Sequence, residues 1–295
     1  MSTSSALGRR GALALLGGAA ALPAVGAEDP PVTLLRTRQW DLAGPGGPRR
    51  IFAYRPEGEP PAGGFPVLYL LDGNAVFLTA VEALLVQQRR AQATGVHPMA
   101  IVAVGYPTAQ PFDTARRARD YTPAFPGAPE GSGGADAFLD QLLGGIAASV
   151  AERMPVNPAR AALFGHSYGG LFALHAFLTR PGAFRRTIAA SPSLWFAGGA
   201  MMEAVRRFVA SPPPNLPELG LLLTVGGLEE EDPAMPPARQ ATLRERAMVS
   251  RAREVAGLLS GLGPRGPEVG FQLFDGENHG SVLPGAVNRA LRFVG

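Results

Sequence analysis

Six short, nearly continuous apolar runs constrain this chain more than any other feature: Val67–Leu71, Ala100–Val104, Ala161–Phe164, Thr187–Ala190, Leu221–Val225 and Val269–Phe274. Each is bounded by turn residues. Such runs, without polar alternation, suit strands buried on both faces, as in a parallel sheet. Between them lie longer stretches with helical periodicity, at 75–90, 135–153, 170–179, 200–209, 239–262 and 286–293. Strand and helix alternate, which predicts an α/β fold: a mostly parallel central sheet with helices on both faces. Ahead of the first run, P-V-T-L-L-R-T-R-Q-W and R-R-I-F-A-Y-R flank G-P-G-G-P, predicting an antiparallel hairpin at the N-terminal edge. Residues 106–134 and 211–218 are rich in proline and glycine and read as surface loops over one end of the sheet. With no internal repeat and no linker, residues 28–295 read as a single domain, large enough to bury an ample core.

The first 27 residues read differently. Arg9-Arg10 precede a small apolar run from Gly11 to Ala24, and Val25-Gly26-Ala27 offers small residues where a signal peptidase cuts. This is the pattern of a signal peptide cleaved after Ala27; the twin arginine suggests the Tat route, and the choice between Tat and Sec is left open. The alternative is a short helix or a tail. No other stretch approaches the ~18 apolar residues of a membrane span. The expectation is a protein that is periplasmic or secreted, with no membrane span after cleavage.

Composition removes other classes. There is no cysteine, hence no disulfide, thiolate metal ligand or cysteine nucleophile. Four histidines, His97, His166, His175 and His279, show no H-x-x-x-H or H-E-x-x-H spacing, so no metal site is expected. The basic residues are all arginine, and a net charge of +3, which falls to +1 once Arg9 and Arg10 are removed, sets up no field for nucleic acid. No cofactor is implied, and the oligomeric state is left open.

The pentapeptide G-H-S-Y-G (165–169) then carries the chemistry. Taken alone it is weak in a chain with 38 glycines. Its context is what the motif demands: a strand candidate ends at Phe164 and a helix begins near Leu171, so Ser167 falls on a strand-to-helix elbow. Glycines at 165 and 169 let the chain pass close to itself there. A serine hydroxyl needs a base to take its proton. His279, in the polar loop after the last apolar run, stands where the order Ser, acid, His places it. His166 is read as pointing away, His175 as packed within a helix, and His97 as lying at the opposite end. The acid that orients the base should follow the fifth run, in L-L-L-T-V-G-G-L-E-E-E-D (221–232): Glu229 is the first choice, then Glu230, Glu231 and Asp232, which spacing does not separate. An oxyanion hole would draw on the backbone N–H of Tyr168 and of Asn74, in the D-G-N turn after the first run. The other reading of D-G-N is a plain turn with Asp72 bonded to its own backbone.

Together these segments resemble the putative esterase (esterase D-like) branch of the α/β-hydrolases, and most of all its ferric enterobactin and bacillibactin esterases. The likeness rests on V-L-Y-L-L-D-G-N-A-V-F (67–77), V-G-Y-P (104–107), R-R-A-R-D-Y-T-P (116–123), G-H-S-Y-G-G-L-F-A-L (165–174), S-P-S-L-W-F (191–196) and E-N-H-G-S-V (277–282). It implies an α/β-hydrolase fold and an ester hydrolase that passes through an acyl-enzyme, with a small-molecule ester as partner. Ser167 would be the nucleophile, His279 the base, and the Asn74 and Tyr168 amides the oxyanion hole. Arg116, Arg117 and Arg119 would bind an anionic substrate such as a ferric catecholate if their loop overhangs the site; the alternative is a structural pair such as Arg119 with Asp120, or a solvated surface. Trp195 and Phe196 would wall the acyl or aromatic group, or belong to the core. Other activities on the same residues are a general carboxylesterase, an acyltransferase, or a binding protein that kept the fold without the chemistry.

Overall fold

A computed structural model describes residues 32–295; the expected leader, residues 1–27, lies outside them. The strands are β1 (Thr37–Leu42), β2 (Arg49–Tyr54), β3 (Phe65–Leu71), β4 (Ala100–Gly105), β5 (Val156–His166), β6 (Arg186–Ala190), β7 (Gly220–Gly226) and β8 (Glu268–Phe274). They form one sheet in the order β1-β2-β4-β3-β5-β6-β7-β8. β1 pairs antiparallel with β2, and β2 antiparallel with β4; every later pairing is parallel. The α/β-hydrolase architecture and the edge hairpin are those read from the sequence.

The helices are α1 (Gly73–Gln87), α2 (Ala91–Thr94), α3 (Thr114–Asp120), α4 (Ala135–Gln141), α5 (Ala147–Ala151), α6 (Tyr168–Thr179), α7 (Phe196–Ala210), α8 (Pro237–Arg246), α9 (Met248–Ser260) and α10 (Val282–Val294). Alternation along the strands sends neighbouring side chains to opposite faces. Val67, Tyr69, Leu71, Leu163, Leu221 and Leu223 share one buried cluster with Phe172 and Leu174 of α6, Val205 of α7 and Val255 of α9. Leu68 and Leu70 are equally buried but point the other way, to the side where α1 and α10 pack together. Both faces are therefore covered, which is why strands β3 to β7 tolerate uninterrupted apolar sequence.

Three local expectations need correction. The 106–134 segment is not wholly loop, because α3 forms within it; the Asp113 side chain caps it by accepting from the Arg116 N–H at 3.0 Å. The helical stretch 239–262 is two helices. Ala247 sits between them in the left-handed region (φ +46°), leaving α8 with no buried residue while α9 packs on β7 and β8. Alanine is a strong helix former, so nothing local announces that break. The 135–153 stretch is helical but opens into a π-turn over Leu142–Ile146, around Gly144-Gly145. Among the described residues no helix is long and apolar enough to cross a membrane, and no cluster of His, Cys, Asp and Glu is arranged to hold a metal.

Candidate active site

Every segment of interest leaves the carboxyl end of a parallel strand. Asn74 follows β3, Ser167 follows β5, Ser191 and Ser193 follow β6, Glu229 follows β7 and His279 follows β8. Side chains far apart in sequence meet there because the strands run the same way in adjacent rows.

β5 ends at His166 and α6 begins at Tyr168, so one residue makes the whole turn. Ser167 sits at φ +61°, ψ −117°, a conformation that only a surrounding fold can hold. A Cβ on Gly165 would lie 2.0 Å from the Gly169 carbonyl oxygen, so glycine is obligatory there. Gly169 differs from expectation: its own Cβ would meet only Leu71 and Asp72 at ordinary contact distances of 3.5 Å and more. What Gly169 contributes to the elbow is its backbone. Gly170 is the second tight position, since a Cβ there would stand 2.6 Å from the Ala190 carbonyl and 3.0 Å from Pro192.

His279 Nε2 lies 3.0 Å from Ser167 Oγ, and its Nδ1 lies 2.5 Å from Glu229 Oε2. Glu229 is 2% exposed, and its other oxygen accepts from the Ser191 hydroxyl at 2.5 Å and from the Gly226 N–H at 2.7 Å. All the partners of this carboxylate are thus donors, which fixes its orientation under the imidazole. The neighbouring acids go elsewhere. Glu230 accepts from the Ser250 N–H and hydroxyl, Glu231 pairs with Arg244 at the surface, and Asp232 accepts from the Ala234 N–H. His175 bonds Asp136, 2.8 Å away.

His166 does not point away from the site. Its ring lies 4.7 Å from that of His279, tilted by 37°. Burial drives its pKa down to about 3, helped by His279 and Arg117, so the ring against His279 is neutral. Its Nε2 is buried without a hydrogen-bond partner.

The amides of Tyr168 and Asn74 lie in the first turns of α6 and α1, where N–H groups have no intrahelical acceptor. The Asn74 side chain is fully engaged: Oδ1 accepts from the Tyr106 N–H, and Nδ2 donates to the Tyr106 and Thr108 carbonyls. Gly105 makes room for it, since a Cβ there would be 2.1 Å from Asn74 Oδ1. This lock holds the β3–α1 turn and leaves the Asn74 main chain as its only free donor.

The three arginines of the 106–134 segment do not line the pocket that holds Ser167. Arg117 is buried and makes a two-point pair with Asp72, 2.9 Å on each arm, while also donating to the His166 carbonyl. Arg116 donates to the Pro48 and Gly46 carbonyls and covers the Tyr106 ring; Arg119 pairs with Asp120 and donates to Gly46. Apart from Arg116 Nε, which is buried without a partner, these donors are engaged within the protein, which favours the structural reading of Arg116, Arg117 and Arg119 over the anion-binding one. The pocket instead takes its cations from α8. It has a volume of about 90 Å³ and is lined by Ser167, Tyr168, Ser193, Trp195 and His279, with Arg239, Leu243 and Arg246 from α8. The Arg246 guanidinium sits 4.4 Å from the centre of the Trp195 ring. Trp195 is therefore a pocket wall, whereas Phe196 is core at 2% exposure. Sequence reasoning missed Arg239 and Arg246 because they lie on a stretch read as one continuous amphipathic helix. A larger cleft, about 510 Å³, runs past Arg160, Arg185 and Arg186 at the other end of the strands and holds no nucleophile or base.

Comparison with known proteins finds relatives over most of the chain. The family model described as "Putative esterase" matches residues 43–257. The ferri-bacillibactin esterase BesA of Bacillus subtilis (strain 168) is 38% identical over 254 residues, which cover 83% of this chain and 83% of BesA. The siderophore triacetylfusarinine C esterase of Aspergillus fumigatus is 37% identical over 244 residues, 78% of this chain and 81% of that protein. Among solved structures, the siderophore hydrolase EstB from Aspergillus nidulans aligns with a TM-score of 0.79 at 32% identity, covering 90% of this chain and 97% of EstB.

Proposed function

Because this chain belongs to the Putative esterase family and is a carboxylic ester hydrolase, we propose that it is a serine hydrolase of siderophore esters in which Ser167, His279 and Glu229 act as nucleophile, base and acid. The observation that carries this reading is the unbroken relay from Glu229 Oε2 to His279 Nδ1 and from His279 Nε2 to Ser167 Oγ, at 2.5 and 3.0 Å, ending on a strained elbow. Glu229 accepts a hydrogen bond from the Nδ1–H, a tautomer that leaves Nε2 bare. As Ser167 Oγ attacks the ester carbonyl, its proton passes to Nε2, and Glu229 stabilises the imidazolium. The carbonyl oxygen becomes an oxyanion facing the Tyr168 and Asn74 amides. His279 then gives the proton to the departing alcohol, and water repeats the sequence on the acyl-enzyme to release the acid.

The names of the relatives support a siderophore ester as substrate. Arg246, stacked on Trp195, and Arg239 support an anionic group beside the scissile bond. A cavity of 90 Å³ takes only about three waters' volume, so it holds the scissile ester group while the rest of a trilactone stays outside. That small cavity equally favours a second reading, a general short-acyl carboxylesterase. Export through the leader at 1–27 places the enzyme in the periplasm or outside the cell; the N-terminal residue of protein recovered from a periplasmic fraction tests it, with Glu28 expected.

The test of the chemistry uses protein from Glu28 and its Ser167→Ala variant, with p-nitrophenyl acetate and a ferric tris-catechol trilactone. Hydrolysis should fall by about 10³-fold or more in the variant. Preference for the trilactone supports the siderophore reading and preference for the aryl ester the general one. Equal rates for the two proteins on both substrates would remove Ser167 from the reaction.

A further inference from the structure

The tripeptide Ser191-Pro192-Ser193 touches both ends of the relay. Ser191 places its hydroxyl on Glu229, and Ser193 places its hydroxyl 3.3 Å from Ser167 Oγ. The segment is fixed by its main chain. The Ser167 N–H donates to the Ala190 carbonyl, the Ser191 N–H to Thr224, and the Ser193 N–H to the Ser167 carbonyl. Ser191 sits at φ +42° to make the bend, and Gly170 supplies the space against which Pro192 lies. Ser193 is 1% exposed yet lines the pocket, so its hydroxyl faces the place where an ester would react.

The direction of the Ser193–Ser167 hydrogen bond follows from proton bookkeeping. Ser167 has one hydroxyl hydrogen, and it points at His279 Nε2, because Nδ1 carries the ring hydrogen and donates it in a hydrogen bond to Glu229, leaving Nε2 the acceptor. The hydrogen between the two serines must then belong to Ser193. Ser193 is a donor aimed at the oxygen that attacks and later leaves.

On this basis, and resting on the serine-hydrolase reading above, we propose that Ser193 is a further catalytic residue, whose hydroxyl orients Ser167 Oγ for attack and stabilises it as it departs. It transfers no proton. In acylation it holds Oγ so that a lone pair faces the pocket. In deacylation, when the second tetrahedral intermediate collapses, the bond from the acyl carbon to Oγ breaks and its electron pair returns to Oγ. Charge gathers there until His279 hands back its proton, and Ser193 is the second donor in place to receive it. Donors aimed at developing charge are worth most in a site that excludes water.

The experiment is pre-steady-state hydrolysis of p-nitrophenyl acetate by the wild type, Ser193→Ala and Ser193→Cys, with Tm measured for each. Cysteine fills the site with a weak donor and keeps the packing if alanine does not. The expected result is a loss of about 10- to 100-fold in kcat, concentrated in the decay of the acyl-enzyme, with KM falling alongside kcat rather than rising and Tm preserved in at least the cysteine variant. The proposal is overturned if a folded variant keeps kcat within threefold, or if KM rises while kcat stands, which would make Ser193 a substrate contact. Wild-type protein that hydrolyses no ester would sink the serine-hydrolase reading itself, a different outcome from variants that match an active wild type.

Discussion

At the scale of single residues, the site separates two histidines by environment. His279 is at the surface, its side chain 45% exposed, with a carboxylate on one nitrogen and a hydroxyl on the other. His166, beside it, is buried and neutral, and so presents no positive charge to His279. This has a consequence for stability. The folded His166 has a pKa of about 3, against 6.5 for the free side chain. Below pH 6.5 the unfolded chain takes up a proton that the folded one refuses, so stability must decline as pH falls from about 6.5 toward 3. By pH 4 this one group should cost on the order of 3 kcal/mol. Replacing it by His166→Phe keeps a ring against His279 and removes the titration. Urea unfolding at pH 7 and pH 4 should show a smaller acid loss in the variant; an equal loss would mean that other groups dominate.

The elements explain why Ser167 can be strained at all. The carboxyl half of β5 and most of α6 are buried on either side of the single residue between them, and the strain at Ser167 is held by their packing rather than by any local preference. The glycines of the motif are not equivalent. Gly165→Ala would drive a Cβ into a backbone oxygen that cannot rotate away, so it should lose about 1–3 kcal/mol of stability and most of the esterase activity. Gly169→Ala meets only ordinary contacts and should retain both. Thermal melts and p-nitrophenyl acetate rates on the two variants check this; equal damage would show that the elbow needs both. The break at Ala247 works similarly. It frees α8 from the core, and α8 is the element that brings Arg239, Leu243 and Arg246 over the pocket.

For the molecule as a whole, the 106–134 segment is bolted down rather than draped over the sheet. Arg117 reaches from α3 to Asp72 beyond β3 and to the His166 carbonyl at the end of β5. Removing one partner of a buried pair leaves the other uncompensated. Arg117→Met should therefore destabilise the fold by about 3–5 kcal/mol, and Arg116→Met much less, since Arg116 donates only to exposed loop carbonyls. Urea titrations decide the energetics. A rise in KM for the trilactone by Arg117→Met, at unchanged stability, would return Arg117 to a substrate role.

How much of this was legible beforehand follows from the range of the interactions involved. The strands, the order of the elements and the elbow were readable, because apolar periodicity and glycine sterics act over a few residues. The order Ser, acid, His was readable too, because it follows from successive parallel strands delivering their ends to one rim. Four acids stood in E-E-E-D, and only the approach of Ser191, Gly226 and His279 singles out Glu229. The arginines were left with two readings for the same reason. Whether a guanidinium meets a substrate or a carboxylate depends on Asp72, Asp120 and the Gly46 loop, dozens of residues away. Local sequence determined on which turns Ser167, the four acids and His279 lie. Tertiary packing alone decided which of several like side chains meet, because a hydrogen bond is made to whatever the fold brings within 3 Å, and the chain between the partners leaves no trace of that in its pattern.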